Sequence, residues 1–232
     1  MNKARRLFST LFAAFAVAGL AGCSSDKAST SVPSKPDTAA STAKPSGEVK
    51  EYVMEAEYID LTNARGAGLS SDQSGVDMIY GEGTAAQKEL GWSNGYYIGY
   101  TYTSQTKLDF VFTASEASSA TFILRLGSEL GDLNITADDM ELSVNSTPLK
   151  YNSIYVTGSE SMAVMKFYDK TVATNVQINK GQNTFSLAIK DNKLGSGGGR
   201  TGGPTIDCLK LQSKANLTWE DHKDNPDNRG QI

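Results

Sequence analysis

Residues 51–61 read EYVMEAEYIDL. Taken as a strand, the side chains alternate between two faces, so Val53, Glu55, Glu57 and Ile59 share one and Met54, Ala56 and Tyr58 the other. Both faces are largely apolar, the pattern of a strand inside a sandwich rather than on a surface. Two carboxylates two residues apart on one face repel each other, and a buried charge without a partner is costly. The segment therefore predicts a buried strand that carries two acids and needs something positive beside them.

The rest of the domain reads the same way. YYIGYTY, KLDFVFTA, ATFILRLGS, MELSVN, AVMKFYD, NVQIN, NTFSLAIK and TIDCLKLQ are β-branched and aromatic-rich, and Gly, Asn, Asp and Ser turns separate them. NKGQN places Gly181 where a tight turn needs it, and ASEASSA reads as a loop rather than a helix. Nine or so short strands, without repeats or heptads, predict an all-β domain, a β-sandwich of the jelly-roll kind.

The chain begins MNKARRLFSTLFAAFAVAGLAGCSS. Lys3, Arg5 and Arg6 precede a short apolar run, Leu7 to Ala18, which is a secretory signal too short for a permanent span. Leu20-Ala21-Gly22-Cys23 resembles the bacterial lipobox, which implies a lipoprotein signal peptide over 1–22, cleavage before Cys23 and lipidation of its thiol. Ser24 and Ser25 follow without an Asp, which in a Gram-negative host resembles outer-membrane sorting. The expected location is the bacterial cell envelope, lipid-anchored to the outer membrane or cell surface. Residues 23–49 are a Ser/Thr/Pro/Ala tether with too little apolar surface to offset its ordering entropy. The segment 214–232 is polar and reads as a loose tail, with Trp219 able to fold back.

Between them lie residues 50–213, about 160 residues, the usual size of one domain and too few to add a catalytic domain. The whole chain has 22 basic and 26 acidic residues; losing the three cations of the signal takes the net charge from −4 to −7. A nucleic-acid partner normally demands a basic face, so none is expected. With Cys23 lipidated, Cys208 is left alone, without an intrachain disulfide, as a small buried hydrophobe.

Much chemistry lacks its residues. The one histidine, His222, lies in the tail, so a Ser/His or Cys/His pair has no base inside the domain and a His/Cys zinc site has no ligands. GSGGGRTGG, 195–203, lacks the Gly-Lys-Ser/Thr ending of a phosphate loop. DNPDNRG has the wrong Asp spacing for a calcium loop. Glu55 and Glu57 could form a glycosidase pair, since residues two apart on a strand lie about 6.5–7 Å apart. That reading requires both acids to line an open groove.

Calcium, which takes about six to eight oxygen ligands, would resolve the repulsion at Glu55 and Glu57. Asp207, in the apolar strand PTIDCLKL, could supply a third carboxylate if the first and last strands pair. The alternative is that one or more of these acids is exposed at a sheet edge.

EAE in the first strand, then GWSNGYYIGY, ATFILRL, INKGQNTFSLAI and GGPTIDCLKL occur in order over nearly all of 50–213. Together they resemble the carbohydrate-binding modules of families 6 and 35. The pairing of an opening Glu-x-Glu with a closing Gly-Pro-x-Ile-Asp is the most specific part. The resemblance implies a jelly roll with a structural calcium ion held by Glu55, Glu57 and Asp207. It also implies a sugar cleft in the loops at one end, which nominates Trp92, Asn94, Tyr96 and Tyr97, and from the loop before the last strand Asp191, Asn192, Lys193 and Arg200.

A pyranose stacks its C–H face on an aromatic ring while its hydroxyls need donors and acceptors, and these residues supply both. Each also has a plainer reading: one of Tyr96 and Tyr97 faces the core, Trp92 caps it, Asn94-Gly95 is a turn, and Arg200 is a solvated charge. The loop 191–203 lacks the aromatic residue common in the family. Lys193 and Arg200 would suit a carboxylated sugar, such as a uronic acid, better than a neutral glucan or xylan. The expected function is non-catalytic binding of polysaccharide or oligosaccharide by a lipid-anchored module, with a glycoside hydrolase as a possible partner. The alternative is a structural or assembly lipoprotein using the sandwich for protein contacts.

Overall fold

The opening segment is a strand only as far as Glu55. The computed structural model describes residues 47–61, 79–80, 93–94, 96–99, 101, 106–128, 131–159, 165–190 and 203–225. Residues 1–22, expected to be a signal peptide, Cys23, most of the expected tether, Trp92, Asp191, Asn192, Lys193, Arg200 and the last seven residues lie outside them. Strand β1 is Lys50–Glu55, and a single 3-10 turn, Ala56–Tyr58, follows it. Continued as a strand, the chain would hold Ile59 on the outward face with Val53, which is 37% exposed. The turn instead sends Ala56, Ile59 and Leu61 into the core. Burial of these side chains decides the break, and Glu57 thereby leaves the strand alternation expected for it.

Twelve further strands follow among the described residues: β2 (Ile79–Tyr80), β3 (Tyr97–Ile98), β4 (Lys107–Ala114), β5 (Ser118–Gly127), β6 (Leu133–Ile135), β7 (Met140–Val144), β8 (Thr147–Pro148), β9 (Ile154–Val156), β10 (Phe167–Ile178), β11 (Gly181–Ile189), β12 (Thr205–Ser213) and β13 (Leu217–Thr218). One sheet has the order β10-β5-β12-β3-β2, with β1 also on β12; the second has β13-β4-β11-β7-β8, and β6 pairs with β9. The strand pairs are antiparallel. The fold is a β-sandwich of the jelly-roll kind, as the sequence predicts.

Period-two burial builds the core between the two sheets. Leu108, Phe110, Phe112 and Ala114 of β4 are buried while the residues between them are not. Phe122 of β5 stacks on Phe185 of β11 at 5.4 Å between ring centroids and 17° between planes, and so joins the sheets. Full burial of such a ring is worth roughly 1.5–3 kcal/mol.

Turn residues direct the chain between these strands. Asn145 and Ser146, with φ of 51° and 63°, form the two-residue link between β7 and β8, where both central positions need the left-handed region. Gly181, at φ 90°, lets the chain leave β10 in one sheet and enter β11 in the other.

Asn183 secures this crossover. It is 1% exposed; its amide donates to the carbonyls of Asn179 and Gly181, and its Oδ1 accepts from Asn179 N–H and Asn145 Nδ2. Asn183→Ala would strand buried donors and acceptors together. The expected loss of stability is about 2–4 kcal/mol, read as a fall in the urea midpoint with an unchanged m-value; a midpoint equal to wild type would contradict this role.

Candidate functional site

Pairing of β1 with β12 brings the predicted acids together. The register sets Glu55 opposite Cys208, and on its other side β12 pairs with β5, where Cys208 lies opposite Arg125. Between Ile206 and Cys208 the register slips by one residue, leaving Asp207 as the extra residue of a β-bulge. In unbroken alternation Leu211, Leu209 and residue 207 would all point into the core. The bulge lets Ile206 take that place and re-aims Asp207 away from it.

Glu57 and Asp207 are fully buried, and Glu55 is half-buried. Two loop residues and one strand residue serve them. The Ser93 N–H donates to Asp207 Oδ1 at 2.7 Å, and Ser93 Oγ lies 2.5 Å from Glu55 Oε2 and 3.0 Å from Asp207 Oδ2. One hydroxyl proton cannot serve both acceptors at once. Asn94, held at φ 51°, donates from Nδ2 to Glu57 Oε1 at 2.9 Å. Arg125 Nε lies 3.1 Å from Asp207 Oδ2, and its Nη1 lies 2.8 Å from Asp169, which also pairs with Lys210 at 2.7 Å.

This supply falls short. Glu57 Oε2 is buried and has no hydrogen-bond partner among the described residues. Burial pushes the Glu57 carboxyl up to about 8, against the Asn94 hydrogen bond and with help from the nearby Glu55 and Asp207. Burial likewise raises Asp207 to about 7, outweighing the Ser93 hydrogen bonds and the Arg125 guanidinium, and raises Glu55. Cys208 is buried beside them, and burial with the two acids raises its thiol. Among the described residues no group of three or more His, Cys, Asp and Glu side chains stands at metal-holding spacing.

A glycosidase pair would need both acids on an open groove, and Glu57 is 0% exposed. Of the nominated sugar residues, Asn94 is exposed but turns its amide to Glu57. Tyr97 is 2% exposed and packs 5.5 Å from Phe167, so it serves the interior, while Tyr96 is half-buried against the main core. Ser93 and Arg125 are members of the site that the sequence reading did not single out.

No family model matches this chain, and no curated protein matches it. It is similar to the native structure of a family 35 carbohydrate binding module from Clostridium thermocellum, at 16% identity and TM-score 0.42, over 70% of this chain and 97% of that one. It is similar to the family 35 module of Abf62 from Cellvibrio japonicus, at 12% and 0.45, over 78% and 100%. It is also similar to a Podospora anserina GH26-CBM35 beta-(1,4)-mannanase, at 16% and 0.41, over 70% and 27%.

The raised carboxyls make stability depend on pH in a definite direction. Each binds its proton more tightly folded than unfolded. Their contribution is therefore whole below about pH 4 and is lost as pH rises through 7 to 8. In chelator, the melting temperature should fall by several degrees between pH 5 and pH 8.5, at about 2–4 °C per kcal/mol. Glu57→Gln should flatten that slope and melt above wild type at pH 8.5. A wild-type melting temperature that stays level or rises across the window would contradict the assignment.

Proposed function

We propose that this chain is a non-catalytic carbohydrate-binding module, anchored to the bacterial envelope through a lipidated Cys23 and clamped by a structural calcium ion. One observation carries the reading: β1, β12 and the loop at Ser93–Asn94 converge on buried carboxylates, one with an oxygen that has no partner among the described residues. The donor set fits calcium in its chemistry, since carboxylate oxygens are its preferred ligands, and the three acids, which do not stand at metal-holding spacing here, would have to close on the ion. Glu55, Glu57 and Asp207 would hold the ion, which would supply positive charge where Arg125 is shared between Asp207 and Asp169.

The same residues tie the cluster to the ligand loop. Trp92 precedes Ser93 in the chain, and Tyr96 follows two residues after Asn94. The acids that join the two strands therefore also fix a loop of the nominated sugar site. Sugar binding should follow calcium without any contact between sugar and ion. The ligand is a polysaccharide or oligosaccharide. Lys193 and Arg200 favour one with carboxylated residues, such as a uronic acid, and a glycoside hydrolase is the fitting partner.

The test is a screen of the soluble chain from residue 24 against neutral and acidic polysaccharides, in calcium and then in chelator. Binding to one class should weaken at least tenfold in chelator and vanish in Trp92→Ala with the melting temperature kept. Should nothing bind while chelator still lowers the melting temperature, the sugar reading fails and a structural lipoprotein with a cation-clamped sandwich takes its place.

A further inference from the structure

The segment after Ser213, expected to be a loose tail, is built into the domain as far as it is described. Ala215 and Leu217 are buried, and β13 pairs with β4 at the edge of the second sheet. The chain then turns back toward the end of β1 in the first sheet. The Trp219 ring meets Tyr52 edge-on, 6.4 Å between centroids and 84° between planes. Trp219 Nε1 donates to Asp221 Oδ1 at 2.8 Å, and the His222 N–H donates to the Tyr58 carbonyl at 2.8 Å. The Asn225 N–H closes a turn on the His222 carbonyl at 2.9 Å.

The last described residue makes the contact that matters. Asn225 Nδ2 donates to the carbonyls of both Glu57, at 3.0 Å, and Ile59, at 2.7 Å. A side-chain amide has two N–H donors on one nitrogen, and here both go to the turn that carries Glu57. That turn needs the help. It spans three residues, and its internal hydrogen bond, Ile59 N–H to the Ala56 carbonyl, is 3.5 Å long. Glu57 is thus held at two points, by Asn94 on its carboxylate and by Asn225 on its carbonyl. Asp221 and His222 line one cleft of about 360 Å³ with Glu55 and Tyr58, so the returning segment lies beside Glu55.

We propose that Trp219–Asn225 is a strap that positions the Glu57 turn, with Asn225 as its positioning residue. Cation binding at the acid cluster then depends on a segment that lies beyond the sandwich's last long strand. The second statement rests on the calcium reading above; the first does not.

The test uses the full mature chain, Asn225→Ala, a chain ending at Thr218, and Lys150→Ala as a control on the exposed link between β8 and β9. Two quantities are read: amide hydrogen exchange at Ile59 in chelator, and the dissociation constant for calcium chloride by calorimetry. Asn225→Ala should raise exchange at Ile59 and weaken calcium binding by about tenfold, the factor that ordering one residue's backbone represents. The shortened chain should show at least that effect, and Lys150→Ala should match wild type. If Asn225→Ala keeps wild-type exchange and wild-type calcium affinity, the strap is overturned. If wild type takes up no calcium, the cation reading fails by itself. Exchange at Ile59 then decides the strap, and unchanged protection in Asn225→Ala overturns it.

Discussion

A carboxylate taken out of water demands a donor or a charge for its oxygens, and this domain takes three to one place. Everything around the β1–β12 junction answers that demand. The bulge at Asp207 turns its side chain out of the core, and the 3-10 turn takes Glu57 off the strand. Arg125 crosses from β5 to reach Asp207, but shares its charge with Asp169. Ser93 and Asn94 bring hydrogen bonds and no charge. With all three acids ionised, one shared guanidinium leaves the cluster negative, and the deficit is centred on Glu57, whose Oε2 has no partner among the described residues.

How much of this the sequence could reveal depends on whether a residue breaks a local pattern. Asp207 stands out in PTIDCLKL because a charge in an apolar strand needs a reason. Arg125 in ATFILRLGS carries the same signal, though only the pairing of β12 with β5 shows that the two meet. Ser93 breaks no pattern, since a serine beside Asn-Gly is ordinary in any turn. The switch at Ala56 was hidden because EYVMEAEYIDL satisfies alternation equally well past Glu55; burial of Ile59 and Leu61, a tertiary effect, decides it. The end of the chain misled through composition: its average is polar, but Ala215, Leu217 and Trp219 are enough to seat it. Tyr96 and Tyr97 were readable as one residue inward and one less so, which the strand alternation required. Trp92 and the glycine-rich loop, where a ligand would be chosen, lie outside the described residues.

The acid cluster also sets two requirements against each other. Protonating Glu57 or Asp207 relieves their mutual repulsion and the cost of burial, which favours the folded sandwich. Yet the hydrogen bonds that hold Ser93 and Asn94 are strongest when they end on ionised oxygens, because charge-assisted bonds are roughly twice as strong as neutral ones. Protons therefore stabilise the strand junction while loosening its hold on the loop. A divalent cation, as proposed, does what a proton cannot: it cancels the repulsion and leaves the carboxylates ionised to accept from the loop. On that reading the ion's part in binding is indirect. It lets a single cluster join two strands and order a neighbouring loop at neutral pH, with the strap from Trp219 to Asn225 keeping Glu57 in place for both.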